Sequence, residues 1–214
     1  MAENAGSIYV LAGTNGAGKS SIAGEMLLAS GAVFFNPDEA ARLILARNPG
    51  ISQTEANSAA WQEGKRLLER AIREKSTYAF ETTLGGKTIA RLLQTALWEG
   101  IKVRMWYVGL EGVELHIARV NSRVKRGGHD IPEERIRQRY TESRLHLIDL
   151  VPQLTELLAY DNSKEADLAA GVAPEPELIL HMVRGRIMES CAVDRVPRWA
   201  KPIFATALKT TARK

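Results

Sequence analysis

The chain has 214 residues, 45% of them hydrophobic, which is enough to bury a full core as one domain or one domain with an appendage. Its net charge of +4 suits a polyanionic partner and a small anionic substrate such as a nucleotide equally well, so charge does not choose between them. The single cysteine, Cys191, excludes an internal disulfide and a Cys-rich zinc site and fits a reducing cytoplasm.

Met1 to Ser7 carries no basic n-region or apolar h-region, and no apolar run approaches the length of a membrane span, so a soluble, cytoplasmic protein is expected. Ile8-Tyr9-Val10-Leu11-Ala12 predicts a buried strand, and Ser21 to Ala29 predicts a helix. Between them Gly13-Thr14-Asn15-Gly16-Ala17-Gly18-Lys19-Ser20 fits the pattern G-x-x-x-x-G-K-[ST] without a mismatch. Such a loop wraps phosphate oxygens with successive backbone N–H groups at the positive end of the following helix. Lys19 would reach the β- and γ-phosphates of ATP, and the Ser20 hydroxyl would be a ligand to Mg²⁺.

A second apolar run, Ala32 to Phe35, ends at Asn36-Pro37-Asp38, and helical periodicity resumes through Ala40, Ala41, Ile44 and Leu45 until Asn48-Pro49-Gly50 stops it. Ser52-Gln53-Thr54-Glu55 has capping-box spacing and opens a longer helix with Trp61, Leu68, Ala71 and Ile72 on one face. The strand Thr77 to Phe80 runs into the polar turn Glu81-Thr82-Thr83-Leu84-Gly85-Gly86. Thr88 to Glu99 is helical, Gly100 caps it, and Lys102 to Val108 is the clearest strand of the chain. Strands alternating with helices predict an α/β fold with a mostly parallel sheet flanked by helices.

In open α/β sheets ligands bind beyond the carboxyl ends of the strands. The P-loop, the Asn36-Pro37-Asp38 turn and the Glu81-Thr82-Thr83 turn therefore converge on one edge. A carboxylate there can deprotonate an attacking hydroxyl or hold Mg²⁺ directly or through water. Asp38 could equally be a helix N-cap, Glu81 a solvated strand end, and Thr82 and Thr83 ordinary turn residues.

Arg119 to Arg144 holds eight Lys or Arg residues against four acidic ones. Arg119, Arg123 and Arg126 share one helix face, and Ile117, Val120 and Val124 share another. Gly127-Gly128 breaks that helix and Pro132-Glu133-Glu134 starts the next. Two arginine-loaded helices about a Gly-Gly break suit a lid over a phosphate site, with a solvated basic face as the alternative.

The ordered set of motifs resembles the zeta-toxin family of P-loop kinases, also described as UDP-N-acetylglucosamine kinases. The matching pieces are Gly13 to Ser20, Phe35-Asn36-Pro37-Asp38-Glu39, Phe80-Glu81-Thr82-Thr83-Leu84, Arg119 to His129 and Tyr160-Asp161-Asn162-Ser163. The resemblance implies a P-loop NTPase/kinase fold with an arginine-bearing helical lid, and ATP- and Mg²⁺-dependent phosphorylation of the 3′-hydroxyl of UDP-N-acetylglucosamine. By motif, Asp38 would be the catalytic base, and Lys19 and Ser20 would handle phosphates and metal. Glu81, Thr82 and Thr83 would hold substrate or order the metal's shell. Arg119 and Arg126 would stabilise the transferred phosphoryl group, with Arg123 a competing assignment, and Asn162 would lie near the adenine. An antitoxin protein is the partner such a resemblance brings with it.

The strand Lys102 to Val108 has no Asp at its end where many P-loop enzymes carry a Walker B acid, and the early helices are shorter than in plasmid-borne toxins, which suits the chromosomal branch. Residues 1–163, with the lid at about 119–144, read as the kinase core, and 164–214 as an extension packing on the core or at an interface. Within it Pro174-Glu175-Pro176 predicts a break and Leu178 to Met188 an apolar helical run. Alternatives to a nucleotide-sugar kinase are a kinase for another small hydroxylated metabolite and a nucleotide-dependent switch that binds RNA. The arginine segment lacks the interleaved aromatics that single strands stack on, so nucleic acid is the weaker expectation.

Overall fold

Apolar runs punctuated by Gly, Pro and Asn become alternating strands and helices in a computed structural model that describes residues 6–164 and 175–213. The order is β1 (Ser7–Ala12), α1 (Ser20–Ser30), β2 (Phe34–Phe35), α2 (Pro37–Arg47), α3 (Gln53–Glu74), β3 (Tyr78–Thr82), α4 (Lys87–Trp98) and β4 (Lys102–Gly109). There follow α5 (Val113–Lys125), α6 (Glu133–Leu150), β5 (Glu156–Asp161), β6 (Glu177–Val183), β7 (Arg186–Ser190) and α7 (Lys201–Thr211). The strands form one sheet in the order β2-β3-β1-β4-β5-β6-β7. β2 through β5 are parallel in that order, and β6 and β7 join antiparallel.

Alternation along β1 serves two cores. Ile8, Val10 and Ala12 enter the large cluster beneath α3, α4, α6 and α7, whereas Tyr9 and Leu11 face α1 with Trp106, Val108, Ile22 and Met26. Each fully buried leucine, such as Leu68 or Leu93, contributes roughly 1.5–3 kcal/mol of transfer free energy to holding the helices on the sheet. Local signals set the helix starts: Ser52 and Glu55 complete the expected capping box on α3, and Asn36 caps α2 with Pro37 in its first turn. The chain reverses direction across the sheet at β1, between β3 and β4, and this brings the P-loop to the crevice at the carboxyl ends.

The C-terminal segment departs from expectation. Leu178 to Met188 is a β-hairpin, not a helix, and adds two strands beyond β5. An apolar run buried on both sides, as at Ile179, Leu180 and Met182, has no periodicity that separates helix from strand. The two-residue turn Arg184–Gly185, with φ of 48° and 76°, decides for the hairpin. α7 then lies on the large cluster through Ile203, Phe204 and Ala207. The expected break at Pro174 falls outside the described residues. Among the described residues no helix is long and apolar enough to cross a membrane.

Candidate active site

The loop between β1 and α1 is built to approach a ligand with its backbone. Gly18 has φ of +83°, and a Cβ there would stand 2.3 Å from the Asn162 amide nitrogen. Any other residue would meet both strain and a clash. No side chain caps α1, so the positive end of the helix is open to an anion at the loop. Lys19 is 8% exposed, and its ammonium donates to the Gly13 carbonyl at 2.8 Å and lies 3.4 Å from the Glu81 carboxylate.

The other two turns meet the loop here. Asn36, not Asp38, caps α2: its side-chain oxygen accepts from the Asp38 and Glu39 N–H groups at 2.9 and 3.2 Å. Asp38 is thereby freed from the capping role that its position after proline suggested, and its carboxylate opens into the cleft. The Asn36 amide also donates to Glu81 at 3.4 Å, tying the second turn to the third. Thr82 and Thr83 accept from the Leu84 and Gly85 N–H groups at 3.0 and 3.4 Å, folding the strand end back on itself. Leu84, fully buried at φ +52°, is strained for a bulky residue, and the strain sits in the turn that presents Glu81.

α5 and α6 close the opposite side. Arg119 donates to the carbonyls of Asn162 and Lys164 at 2.8 and 3.2 Å. Asn162, 2% exposed, donates in turn to the Ala17 carbonyl at 2.9 Å, so the end of β5 rests directly on the P-loop. Arg123 comes within 3.9 Å of Asp38, and its Nε and Nη2 are shielded from solvent without hydrogen-bond partners. Arg126 is not brought to the cleft. It falls at the C-cap of α5, where the helix ends before the arginine stripe does, and its guanidinium turns back to Ser122.

Sequence reasoning passed over several residues that the fold brings to this place. His116 on α5 is 1% exposed and donates to the Asn15 carbonyl at 2.8 Å. Burial, reinforced by Lys19, Arg119 and Arg144 and opposed by the bond to Asn15, pushes it down to about 4, so the imidazole is neutral. Arg139 on α6 donates to the Asn15 side chain at 2.7 Å. Trp61, expected on the buried face of α3, is 43% exposed and lines the cleft, because this end of α3 packs on α2 through Ala56 and Ala60. An i, i+4 spacing that sets Arg135 and Arg139 on one face of α6 was the available signal, obscured by Arg137 between them.

Together these elements enclose a cleft of about 550 Å³. Its lining includes Asn15 of the P-loop, Asp38, Glu81, Thr82 and Thr83 from the two turns, Trp61 from α3, and Arg135 and Arg139 from α6. No three His, Cys, Asp or Glu side chains converge among the described residues. Ser20 and Glu81 are hard oxygen donors, a sparse set that fits a Mg²⁺ carried in on phosphates better than a cation in an all-protein cage.

Comparison with known proteins agrees with this architecture. The family model described as Zeta toxin matches residues 3–168. An uncharacterized protein of Haemophilus influenzae is 34% identical over 128 residues, 60% of this chain and 88% of that one. Among solved structures, a chain of the AvrRxo1-ORF1:AvrRxo1-ORF2 complex crystallised with sulphate ions superposes with a TM-score of 0.64 at 17% identity, covering 94% of this chain. The present chain spans only 63% of that one. The same complex solved with ATP gives 0.63 at 16% identity, over 94% of this chain and 63% of that one. A chain from the PezAT chromosomal toxin-antitoxin system of Streptococcus pneumoniae gives 0.54 at 16%, over 75% of this chain and 70% of that one. At these identities the likeness is one of fold, the mostly parallel P-loop kinase sheet flanked by helices. The match of the family model over most of the sequence adds the lineage: this chain belongs to the zeta toxin family.

Proposed function

We propose that this chain is a kinase that transfers the γ-phosphoryl group of ATP to a hydroxyl of a nucleotide sugar, with UDP-N-acetylglucosamine as the leading acceptor. The observation that carries the reading is that one cleft is lined both by the P-loop residue Asn15 and by Asp38 and Glu81. A nucleotide bound by Gly13 to Ser20 would direct its terminal phosphate at an acceptor lying against Asp38. A lining that combines the aromatic Trp61 with the polar Thr82 and Thr83 suits a ligand that joins a ring to hydroxyls and phosphates.

In this reading Asp38 accepts the proton of the acceptor hydroxyl as its oxygen bonds to the γ-phosphorus. The bond from that phosphorus to the β,γ-bridging oxygen breaks, and ADP leaves. Lys19 shifts its ammonium from Glu81 and the Gly13 carbonyl onto the β- and γ-phosphates, and Arg119 and Arg123 contribute positive charge from α5. Ser20 and Glu81 would hold Mg²⁺, which neutralises phosphate charge when bound. The resemblance to toxin kinases supports the choice of acceptor. The solved PezAT and AvrRxo1 complexes support an antitoxin-like protein partner. ATP and nucleotide sugars are cytoplasmic metabolites, and the proposed location is the cytoplasm.

The test is ADP release from Mg-ATP with and without each of a panel of nucleotide sugars. UDP-N-acetylglucosamine is expected to stimulate release at least about tenfold, the scale of one properly bound reacting partner. A rate indifferent to every nucleotide sugar contradicts the reading. Stimulation by a different small alcohol reassigns the acceptor.

A further inference from the structure

The turn after β3 is held by a residue on α6 that stands outside the cleft lining. His146 donates from Nδ1 to the Leu84 carbonyl at 2.8 Å, since a carbonyl can only accept. Leu84 is the residue whose φ of +52° is unusual for a bulky side chain, and its carbonyl belongs to the peptide that leads into Gly85. The N–H at the other end of that peptide donates to the Thr83 hydroxyl at 3.4 Å. One peptide plane is therefore gripped at both ends, by α6 on one side and by Thr83 on the other. The buried Leu84 side chain anchors the turn in depth, but apolar contact is non-directional and does not orient a peptide plane, whereas a hydrogen bond does.

What this plane orients is the hydroxyl-bearing part of the cleft. Thr82 and Thr83 both line it, and each accepts a backbone N–H of the turn, Thr82 from Leu84 and Thr83 from Gly85. A hydroxyl that accepts from the backbone keeps its own proton to donate, and the position of the accepted N–H sets the direction of that donation. Rotation of the Leu84–Gly85 peptide would withdraw the N–H from Thr83 and turn its hydroxyl. α6 is anchored firmly enough to prevent this. One turn before His146, the fully buried Ser143 has its hydroxyl 3.0 Å from that of Tyr107 on β4, and Leu147 is buried in the large cluster. The helix also sits directly on the turn, because a Cβ added at Gly85 would come within 2.6 Å of Arg139 Cγ. We propose, resting on the kinase reading above, that His146 is a positioning residue: its Nδ1–H fixes the Leu84–Gly85 peptide so that Thr82 and Thr83 present their hydroxyl protons to the acceptor.

The contact itself is tested on the wild-type protein. Long-range proton–nitrogen NMR spectra are expected to show His146 protonated at Nδ1, and a ring that carries its proton on Nε2 alone overturns the proposal without any variant. His146→Leu then removes the donor, whereas His146→Asn places an amide N–H as many bonds from the backbone as Nδ1. Amide exchange at Leu84 and Gly85 should quicken about tenfold or more in His146→Leu and stay within about threefold of wild type in His146→Asn, with the α4 amides unchanged in both. With Mg-ATP and UDP-N-acetylglucosamine, kcat/KM for the acceptor should fall about tenfold or more in His146→Leu and recover to within about threefold in His146→Asn. ADP affinity should stay within about twofold throughout, since the bonds of the P-loop itself are left intact. Unchanged exchange in His146→Leu, or an equal loss in His146→Asn, overturns the proposal. If neither variant folds, the wild-type tautomer decides. The two readings fail separately. Quickened exchange with full-speed transfer reduces His146 to a structural contact and sinks its part in the reaction alone. Quickened exchange in a protein that phosphorylates no nucleotide sugar sinks the acceptor and leaves the hold on the turn in place.

Discussion

The Lys19 ammonium lies 3.4 Å from the Glu81 carboxylate across the mouth of the P-loop. Residues far apart in sequence thus share one partly buried ion pair between the loop after β1 and the strand end that faces the cleft. On the proposed reading a triphosphate would compete with Glu81 for the same cation, and binding would exchange one carboxylate for several phosphate oxygens. Replacing Lys19 by Met is expected to weaken ATP binding about tenfold or more, an effect of at least about 1.4 kcal/mol read by calorimetric titration. Unchanged affinity would remove Lys19 from the nucleotide site.

Asp38 and Asn36 divide two roles that the sequence leaves mixed. Asn36 carries the helix cap, so Asn36→Ala should lower stability by about 1 kcal/mol in a urea titration. Asp38→Asn should leave stability nearly unchanged and ATP affinity intact, and should lower kcat for transfer by about 10²–10⁴-fold, the range for a lost general base. A destabilised Asp38→Asn with near-normal kcat would return Asp38 to a structural role.

His116 makes stability depend on pH. Its pKa in the fold, about 4, lies below the ordinary 6.5, so the unfolded chain takes up the proton more readily. The contribution is fully present above about pH 6.5 and disappears as pH falls toward about 4, by up to about 3 kcal/mol. His116→Gln is expected to flatten that part of the curve in denaturant titrations across the same range. An equal acid loss in the variant would assign the effect elsewhere.

The C-terminal segment supports the site from beneath. Trp199 is buried, and its indole donates to Asp161 at 2.8 Å. Asp161 precedes Asn162, which holds both Ala17 and Arg119. Trp199→Phe removes the donor while keeping most of the ring, at an expected cost of about 1–3 kcal/mol, and Trp199→Ala should cost about 3–5 kcal/mol. Thermal melts of the two variants, with nucleotide affinity measured alongside, test whether this wedge acts on the loop as well as on stability. Equal melting of Trp199→Phe and wild type would discount the hydrogen bond.

Local chemistry made some parts of this molecule readable before any coordinates. The strand–loop–helix about Gly13 to Ser20 and the Ser52–Glu55 capping box are each specified within a few residues and form as read, whereas α2 is capped by Asn36 and not by the Asp38 that the sequence offered. Arg139 and His116 were not legible as site residues, because their role depends on how α5 and α6 lean over Asn15, and one helix face among many charges carries no such information. Arg126 lies apart from them in the structure: its spacing from Arg119 is helical, but α5 ends one residue before it and its guanidinium turns to Ser122. The β6–β7 hairpin was hidden by burial on both faces, and Trp61 by a helix that leaves the core partway along its length.

The most direct measurement is the mass of UDP-N-acetylglucosamine after incubation with Mg-ATP and either the wild-type protein or Asp38→Asn. The expected result is one added phosphate with wild type and none with the variant, while both bind ATP equally. An unmodified sugar nucleotide with wild type, or equal phosphorylation by the two proteins, would contradict the placement of an acceptor hydroxyl between Asp38 and the terminal phosphate.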